Sequence, residues 1–122
     1  MEDTKKLIML VDDNPANLRI GKNVLSEKFT VATAPSAAKL FNLLDNNHPD
    51  LILLDIDMPG MDGYGAIDTL KARPDTKDIP VIFLTAMVDS ENQEKGRAMG
   101  AVDYITKPFD PPLLIACIEK YI

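Results

Sequence analysis

Leu51-Ile52-Leu53-Leu54-Asp55-Ile56-Asp57-Met58-Pro59-Gly60, residues 51–60, opens on four apolar residues in a row and then breaks into acid, proline and glycine. A strand with one wet face alternates apolar and polar residues. An uninterrupted apolar run that ends in turn residues is the pattern of a strand covered on both faces. Leu7-Ile8-Met9-Leu10-Val11 shows the same pattern and also stops at acid, Asp12-Asp13. Strands buried on both faces belong to parallel sheets, whose crossover helices shield them from water. Reading outward from these two runs gives five predicted strands: Lys6 to Val11, Phe29 to Ala34, Asp50 to Leu54, Ile79 to Leu84 and Ala101 to Ile105.

Between and after these strands lie five segments with helix-start signals. They begin at Asn14-Pro15, Pro35-Ser36, Asp62-Gly63, Ser90 with Gln93 as a capping box, and Asp110-Pro111. Gly100 is the expected stop of the fourth, which runs from Asp89 to Met99. In the last, Leu114, Cys117, Ile118 and Tyr121 share one face at helical spacing and are predicted core, with Ala116, Glu119 and Lys120 opposite. Strict βα alternation, five times over with right-handed crossovers, predicts an α/β fold: a doubly wound five-stranded parallel sheet. The 122 residues make one domain, residues 1–122, with no linker or low-complexity tract.

Composition narrows the function classes. A net charge of -6 argues against a surface that tracks nucleic-acid phosphates, so no direct nucleic-acid partner is expected. Cys117 is the only cysteine, which rules out an internal disulfide or a thiolate zinc cluster. No apolar run approaches membrane-spanning length and the N-terminus has no signal-peptide core, so a cytoplasmic protein without a membrane partner is expected.

Ligands of open α/β sheets sit outside the carboxyl ends of the strands, where strand order reverses. Strand one ends in Asp12-Asp13, strand three in Asp55 and strand four in Thr85, and strand five leads to Lys107-Pro108. If the order is 2-1-3-4-5, the flavodoxin-like arrangement, strands one and three are neighbours and Asp12, Asp13 and Asp55 meet. The residue pattern by itself does not fix that order. Crowded carboxylates repel, by about 4 kcal/mol for a pair about 4 Å apart at an effective dielectric of about 20. Sharing a proton would offset this, and so would a hard divalent cation; Mg2+, bound through one or two carboxylates plus phosphate oxygens, suits an open acidic edge better. Lys107 could pair with anionic oxygens, Thr85 could donate a hydroxyl hydrogen bond, and the Asp55 carboxylate could act as a nucleophile.

Four pieces in this order resemble the receiver family of response regulators in two-component signalling: Val11-Asp12-Asp13, residues 54–63 from Leu54 to Gly63, Leu84-Thr85-Ala86, and Thr106-Lys107-Pro108-Phe109. The resemblance covers the whole chain and implies a flavodoxin-like (βα)5 fold with strand order 2-1-3-4-5. It also implies that Asp55 accepts a phosphoryl group, that Mg2+ (Mn2+ as a substitute) is held by Asp13 directly, Asp12 through water, Asp55 and the Asp57 backbone carbonyl, and that Thr85 and Lys107 bind phosphoryl oxygens. Thr85 and Tyr104 would form a switch acting on the face of helix four, strand five and helix five, and Lys107-Pro108 would be cis. The implied partners are a sensor histidine kinase or histidine phosphotransfer protein, and a downstream protein or attached output domain, with a phosphorylation-dependent homodimer as a further state. Such a protein modifies itself and is not an enzyme in the turnover sense. Asp57 and Met87 occupy the positions expected to tune the lifetime of the phosphorylated form.

Other readings stand beside these. Asp55-Ile56-Asp57 has the spacing of a haloacid-dehalogenase-like phosphohydrolase, but Pro59 stands where that family has Thr or Val, and there is no cap domain. A flavin or nucleotide carrier would need a glycine-rich phosphate loop after strand one, where this chain has two acids. Asp62 reads as a helix cap, Tyr104 could be simply a packed aromatic, His48 lies in a polar loop with no expected role, and the six Met residues read as core filling.

Overall fold

The protein is described by a computed structural model covering residues 5–86, 90–108 and 110–122, apart from the side chains of Ser90 and Asn92. These residues alternate as β1 (Leu7–Val11), α1 (Pro15–Leu25), β2 (Thr30–Ala34), α2 (Ala37–Leu44), β3 (Leu51–Asp55), α3 (Gly63–Ala72), β4 (Val81–Thr85), α4 (Ser90–Ala98), β5 (Asp103–Thr106) and α5 (Pro111–Glu119). All four strand pairings are parallel, and the order is β2-β1-β3-β4-β5. This is the doubly wound, flavodoxin-like sheet expected above.

Because side chains alternate across a strand, each apolar run feeds two cores. Met9, Val11, Ile52, Leu54, Val81 and Phe83 face α2 and α3 through Leu40, Leu44, Ile67 and Leu70. Ile8, Leu10, Leu51, Leu53, Ile82 and Leu84 face α1 and α5 through Leu25, Leu114 and Ile118. Every residue of β3 and β4 is buried, which is why neither run alternates. On α5, Leu114 and Ile118 are buried, Cys117 and Tyr121 pack against the same core, and Ala116, Glu119 and Lys120 are exposed, as the helical spacing predicted.

The helix starts follow local chemistry. Asn14 caps α1 by accepting from the Ala16 N–H (2.8 Å), Ser36 caps α2 by accepting from Lys39 (3.1 Å), and Asp62 caps α3 by accepting from Gly65 (2.9 Å). Asp110 stands at the start of α5 without a side-chain cap bond, and Pro112 removes the N2 amide, one of the two that a cap side chain serves. Gly100, at φ +112°, ends α4 as expected. The Ser90 side chain, on which the proposed capping box depends, and the residue Asp89 lie outside what is described.

Strand boundaries move by one or two residues. Ile79 donates to Thr76 in a turn and Pro80 has no N–H, so β4 starts at Val81. Ala101 spends its N–H on the Gly96 carbonyl at the end of α4 (3.0 Å), and β5 starts only at Asp103. Asp55 and Thr85 are the last residues of β3 and β4 instead of the first after them, with Asp55 in register with Leu84 and Thr85 with Thr106. Their backbones are therefore held in the ladder.

Candidate functional site

The carboxyl ends of β1, β3, β4 and β5 converge as the loop reading required. Asp12 follows β1 and is tied to β2 by its N–H to the Ala34 carbonyl (3.1 Å). Lys107 follows β5, and its N–H donates to the Thr85 carbonyl (2.9 Å), which fixes the lysine stem beside β4. One carboxylate oxygen from each of Asp12, Asp13 and Asp55 lies within 4.8 Å of the others. Asp12 is fully buried, Asp55 nearly so, and Asp13 is exposed.

The repulsion between buried carboxylates has a partner within the chain. Lys107 Nζ sits 2.7 Å from Asp12 Oδ2 and 3.1 Å from Asp55 Oδ1, bridging the two. Burial pushes the Asp55 carboxyl up to about 6; the hydrogen bond from Lys107 opposes this, the charge of Asp12 adds to it, and the Asp57 backbone N–H, donating to Asp55, opposes it. Burial would lower the Lys107 ammonium, but its bonds to Asp12 and Asp55 outweigh that and raise it.

Oxygen ligands about 2.1 Å from an octahedral Mg2+ lie about 3 Å apart when adjacent and about 4.2 Å apart when opposite. A cluster already within 4.8 Å is near that spacing, its donors are hard oxygens, and an exposed Asp13 leaves room for waters and a phosphate. The residues present fit such an ion.

Thr85 is buried at the end of β4, and Ala86 beside it is exposed. Tyr104 is half-buried opposite Phe83 and packs on the α2/α3 core, which fits the packed-aromatic reading and puts the ring two residues before Thr106 on the strand paired with β4. The Lys107-Pro108 peptide is cis. Met87 lies outside the described residues. His48 is exposed in the loop before β3 and is not part of the acidic cluster. Met9 and Met58 are buried filling, whereas Met61 is 45% exposed.

Two contributors were not anticipated from the sequence. The Asn14 backbone N–H donates to Asp12 Oδ1 (2.9 Å), and the Asn17 side-chain amide donates to Asp12 Oδ2 (3.1 Å). The available signal was Asn17 in the first turn of α1, where side chains lean back toward the helix start and hence toward the end of β1.

Residues 8–119 match the family described as the response regulator receiver domain. Among curated relatives, a probable cyclic di-GMP phosphodiesterase of Vibrio cholerae is 38% identical over 123 residues, covering 100% of this chain and 28% of that protein. Response regulator PleD of Caulobacter vibrioides is 39% identical over 114 residues, covering 93% of this chain and 25% of that one. The first curated relatives are thus spanned for about a quarter to a half of their own length. Among solved structures, the beryllium-fluoride-activated receiver domain of DrrB aligns with a TM-score of 0.85 at 32% identity, covering 97% of each chain. Chemotaxis protein CheY4 of Vibrio cholerae aligns with a TM-score of 0.93 at 23% identity over 98% of this chain and 100% of that one, a likeness of fold. The phosphohydrolase alternative finds no support in these matches. Five parallel strands in the order 2-1-3-4-5, an acidic cluster at their switch point and a family match over residues 8–119 lead to one conclusion: the chain belongs to the response regulator receiver domain family, the phosphoryl-accepting switch of two-component signalling.

Proposed function

We propose that Asp55 is the phosphoryl acceptor and that Asp12, Asp13, Asp55 and the Asp57 backbone carbonyl hold Mg2+, which when bound supplies positive charge to phosphoryl oxygens. The observation that carries this reading is the Lys107 bridge between Asp12 and Asp55. It supports the reading because the ammonium lies beside Asp55, the cluster carboxylate that ends β3, from where it can turn to an incoming phosphoryl oxygen. An Asp55 carboxylate oxygen attacks phosphorus, the bond from phosphorus to the donor nitrogen breaks, and the product is an acyl phosphate whose oxygens Lys107 and the Thr85 hydroxyl bind. The donor is a phosphohistidine on a sensor histidine kinase or histidine phosphotransfer protein.

The chain acts as one receiver domain over residues 1–122, in the cytoplasm. It is a self-modifying switch and not a turnover enzyme. Its output runs through α4, β5 and α5 to a downstream protein, an attached output domain or a phosphorylation-dependent homodimer partner. The longer relatives, a probable phosphodiesterase among them, support an attached output domain. Asp57, exposed beside the acceptor, tunes the lifetime of the acyl phosphate together with Met87.

The test is intact-mass analysis after incubation with a small phosphodonor. The parent should gain one hydroxylamine-labile phosphate that depends on Mg2+, and Asp55→Asn should gain none. An Asp55→Asn protein that still gains the labile group would refute the acceptor assignment, and Asp13→Ala binding Mg2+ as tightly as the parent would refute the metal assignment.

A further inference from the structure

The Asp12 carboxylate is fully buried and, among the described residues, receives three donors. The Asn14 N–H reaches Oδ1 at 2.9 Å, whereas Oδ2 is shared by Lys107 Nζ at 2.7 Å and Asn17 Nδ2 at 3.1 Å. The amide of Asn17 must present its NH2 group here, because its carbonyl facing a carboxylate oxygen would be repelled. Asn14 cannot substitute for it. The Asn14 side-chain oxygen caps α1, accepting from the Ala16 N–H at 2.8 Å and the Asn17 N–H at 3.4 Å. Asn14 therefore holds the helix and one Asp12 oxygen through its backbone, and Asn17 serves the other oxygen with its side chain.

The division matters because Lys107 has two tasks. In the structure it neutralises Asp12 and Asp55 together, and in the proposed reaction it turns to a phosphoryl oxygen. When it turns, Asp12 Oδ2 loses its closest hydrogen-bond donor while remaining buried, and a buried acceptor left without a donor is unfavourable. Asn17 is a donor to that same oxygen from a different element, α1, which is not part of the β5 loop that carries Lys107. Its neutral amide can hold the Asp12 carboxylate in one orientation without competing for the positive charge that the reaction requires.

We propose that Asn17 is a positioning residue for this site: it fixes the Asp12 carboxylate for cation binding and retains it when Lys107 leaves for the phosphoryl group. This rests on the reading of the site given under Proposed function. Losing an outer partner of a metal-ligating carboxylate typically weakens metal affinity about 10- to 100-fold. Removing the Asn17 donor should do the same for Mg2+ while leaving the fold intact, since the side chain is only half-buried.

The experiment is Mg2+ titration of the 122-residue chain, followed by NMR of the Asp12, Asp13 and Asp55 loops, in the parent, Asn17→Leu, Asn17→Ala and Asn17→Gln. Circular dichroism shows which variants are folded, and Asn17→Ala serves if the leucine is not accommodated. Asn17→Leu and Asn17→Ala are expected to bind Mg2+ at least about 10-fold more weakly, and Asn17→Gln, which keeps an amide donor, should recover part of the loss. In an Asp12→Asn background the same Asn17 substitutions should change affinity by less than about twofold, because the partner whose charge they serve is gone. A merely structural Asn17 would cost the same in both backgrounds, and that result would overturn the proposal. Unchanged Mg2+ affinity in the single variants would overturn it too. A parent that binds no Mg2+ would instead bring down the metal reading itself, and this inference with it.

Discussion

At the scale of single residues, the site is a balance between two buried carboxylates and one lysine. The folded-state pKa of Asp55, about 6, lies above its ordinary 3.8. Ionising it therefore works against the fold in full above about pH 6, and the penalty is relieved as pH falls from 6 toward 3.8. In chelator near pH 8, Asp55→Asn should stabilise the protein by about 1–3 kcal/mol. The gap to the parent should shrink near pH 5 and vanish near pH 4, as read by urea unfolding across that range. Lys107→Ala should do the opposite, because Asp12 is left as an uncompensated buried charge. A loss of about 3–5 kcal/mol in chelator is expected, partly recovered in the Lys107→Ala, Asp55→Asn double variant. A loss under about 0.5 kcal/mol, the scale of a surface substitution, would show that the bridge is not formed in solution.

At the scale of elements, the loop from β3 to α3 is stitched to the acceptor strand by close backbone packing. The Gly63 N–H donates to the Ile56 carbonyl at 2.8 Å, and a Cβ at Gly63 would lie 2.5 Å from the Asp55 carbonyl oxygen and 2.7 Å from Ile56 Cα. Those are backbone atoms at the end of the ladder, which cannot turn aside as a side chain would. Gly63→Ala should destabilise by about 1–3 kcal/mol or more through overpacking and should displace α3 from the acceptor. Gly60, in the same loop, has φ +78° and nothing within 4 Å of such a Cβ. Gly60→Ala should cost only the left-handed backbone, about 1–2 kcal/mol, and leave phosphorylation rates near parental. Measuring both variants by denaturant unfolding and by phosphoryl uptake separates clash from strain. α4 is held more lightly. It is mostly polar, but Gly96 lets it approach the Phe83 ring, and Lys95 lies 4.2 Å over the Tyr64 ring, itself edge-on to Phe83 at 5.5 Å.

At the scale of the molecule, a concavity lies on the proposed output face, apart from the cluster of Asp12, Asp13 and Asp55. It is a cavity of about 320 Å³ between α4, β5 and α5, lined by Gln93, Tyr104, Leu113 and Cys117 among others. Asp103 anchors its floor, accepting from the Tyr121 hydroxyl at 2.8 Å and the Cys117 thiol at 3.4 Å, while Leu113 is 60% exposed at its rim. A phosphoryl group shifts such a face only if it interacts differently with two arrangements of the protein, and the Thr85 and Lys107 contacts proposed above supply that difference. Tyr104 lines the cavity, so rotation of its ring would reshape it. With beryllium fluoride as phosphoryl mimic, chemical shifts of α4 and α5 should move in the parent. They should move much less in Thr85→Ala and in Tyr104→Ala, with the double variant losing little more. Equal shifts in parent and Thr85→Ala would leave Tyr104 as a packed aromatic.

The sequence by itself determined the kinds and order of the elements, the parallel sheet, the core stripe of α5 and the four acid-, threonine- or lysine-bearing loops. These were legible because burial on both faces abolishes alternation along Leu51 to Leu54, and because caps such as Asn14 and Asp62 act over a single turn. Only the tertiary structure decided that Lys107 spans Asp12 and Asp55, that Asn17 serves Asp12, and that Asp55 is buried enough for its carboxyl to be pushed up to about 6. Each of these depends on ångström-level distances between loops far apart in the chain, set by the twist and register of the strands beneath them, and residue pattern carries no such distances. The same holds at the start of β5, where the Ala101 amide bonds back to Gly96 and the strand begins two residues late: its β-rich composition was visible, but the competing carbonyl was not.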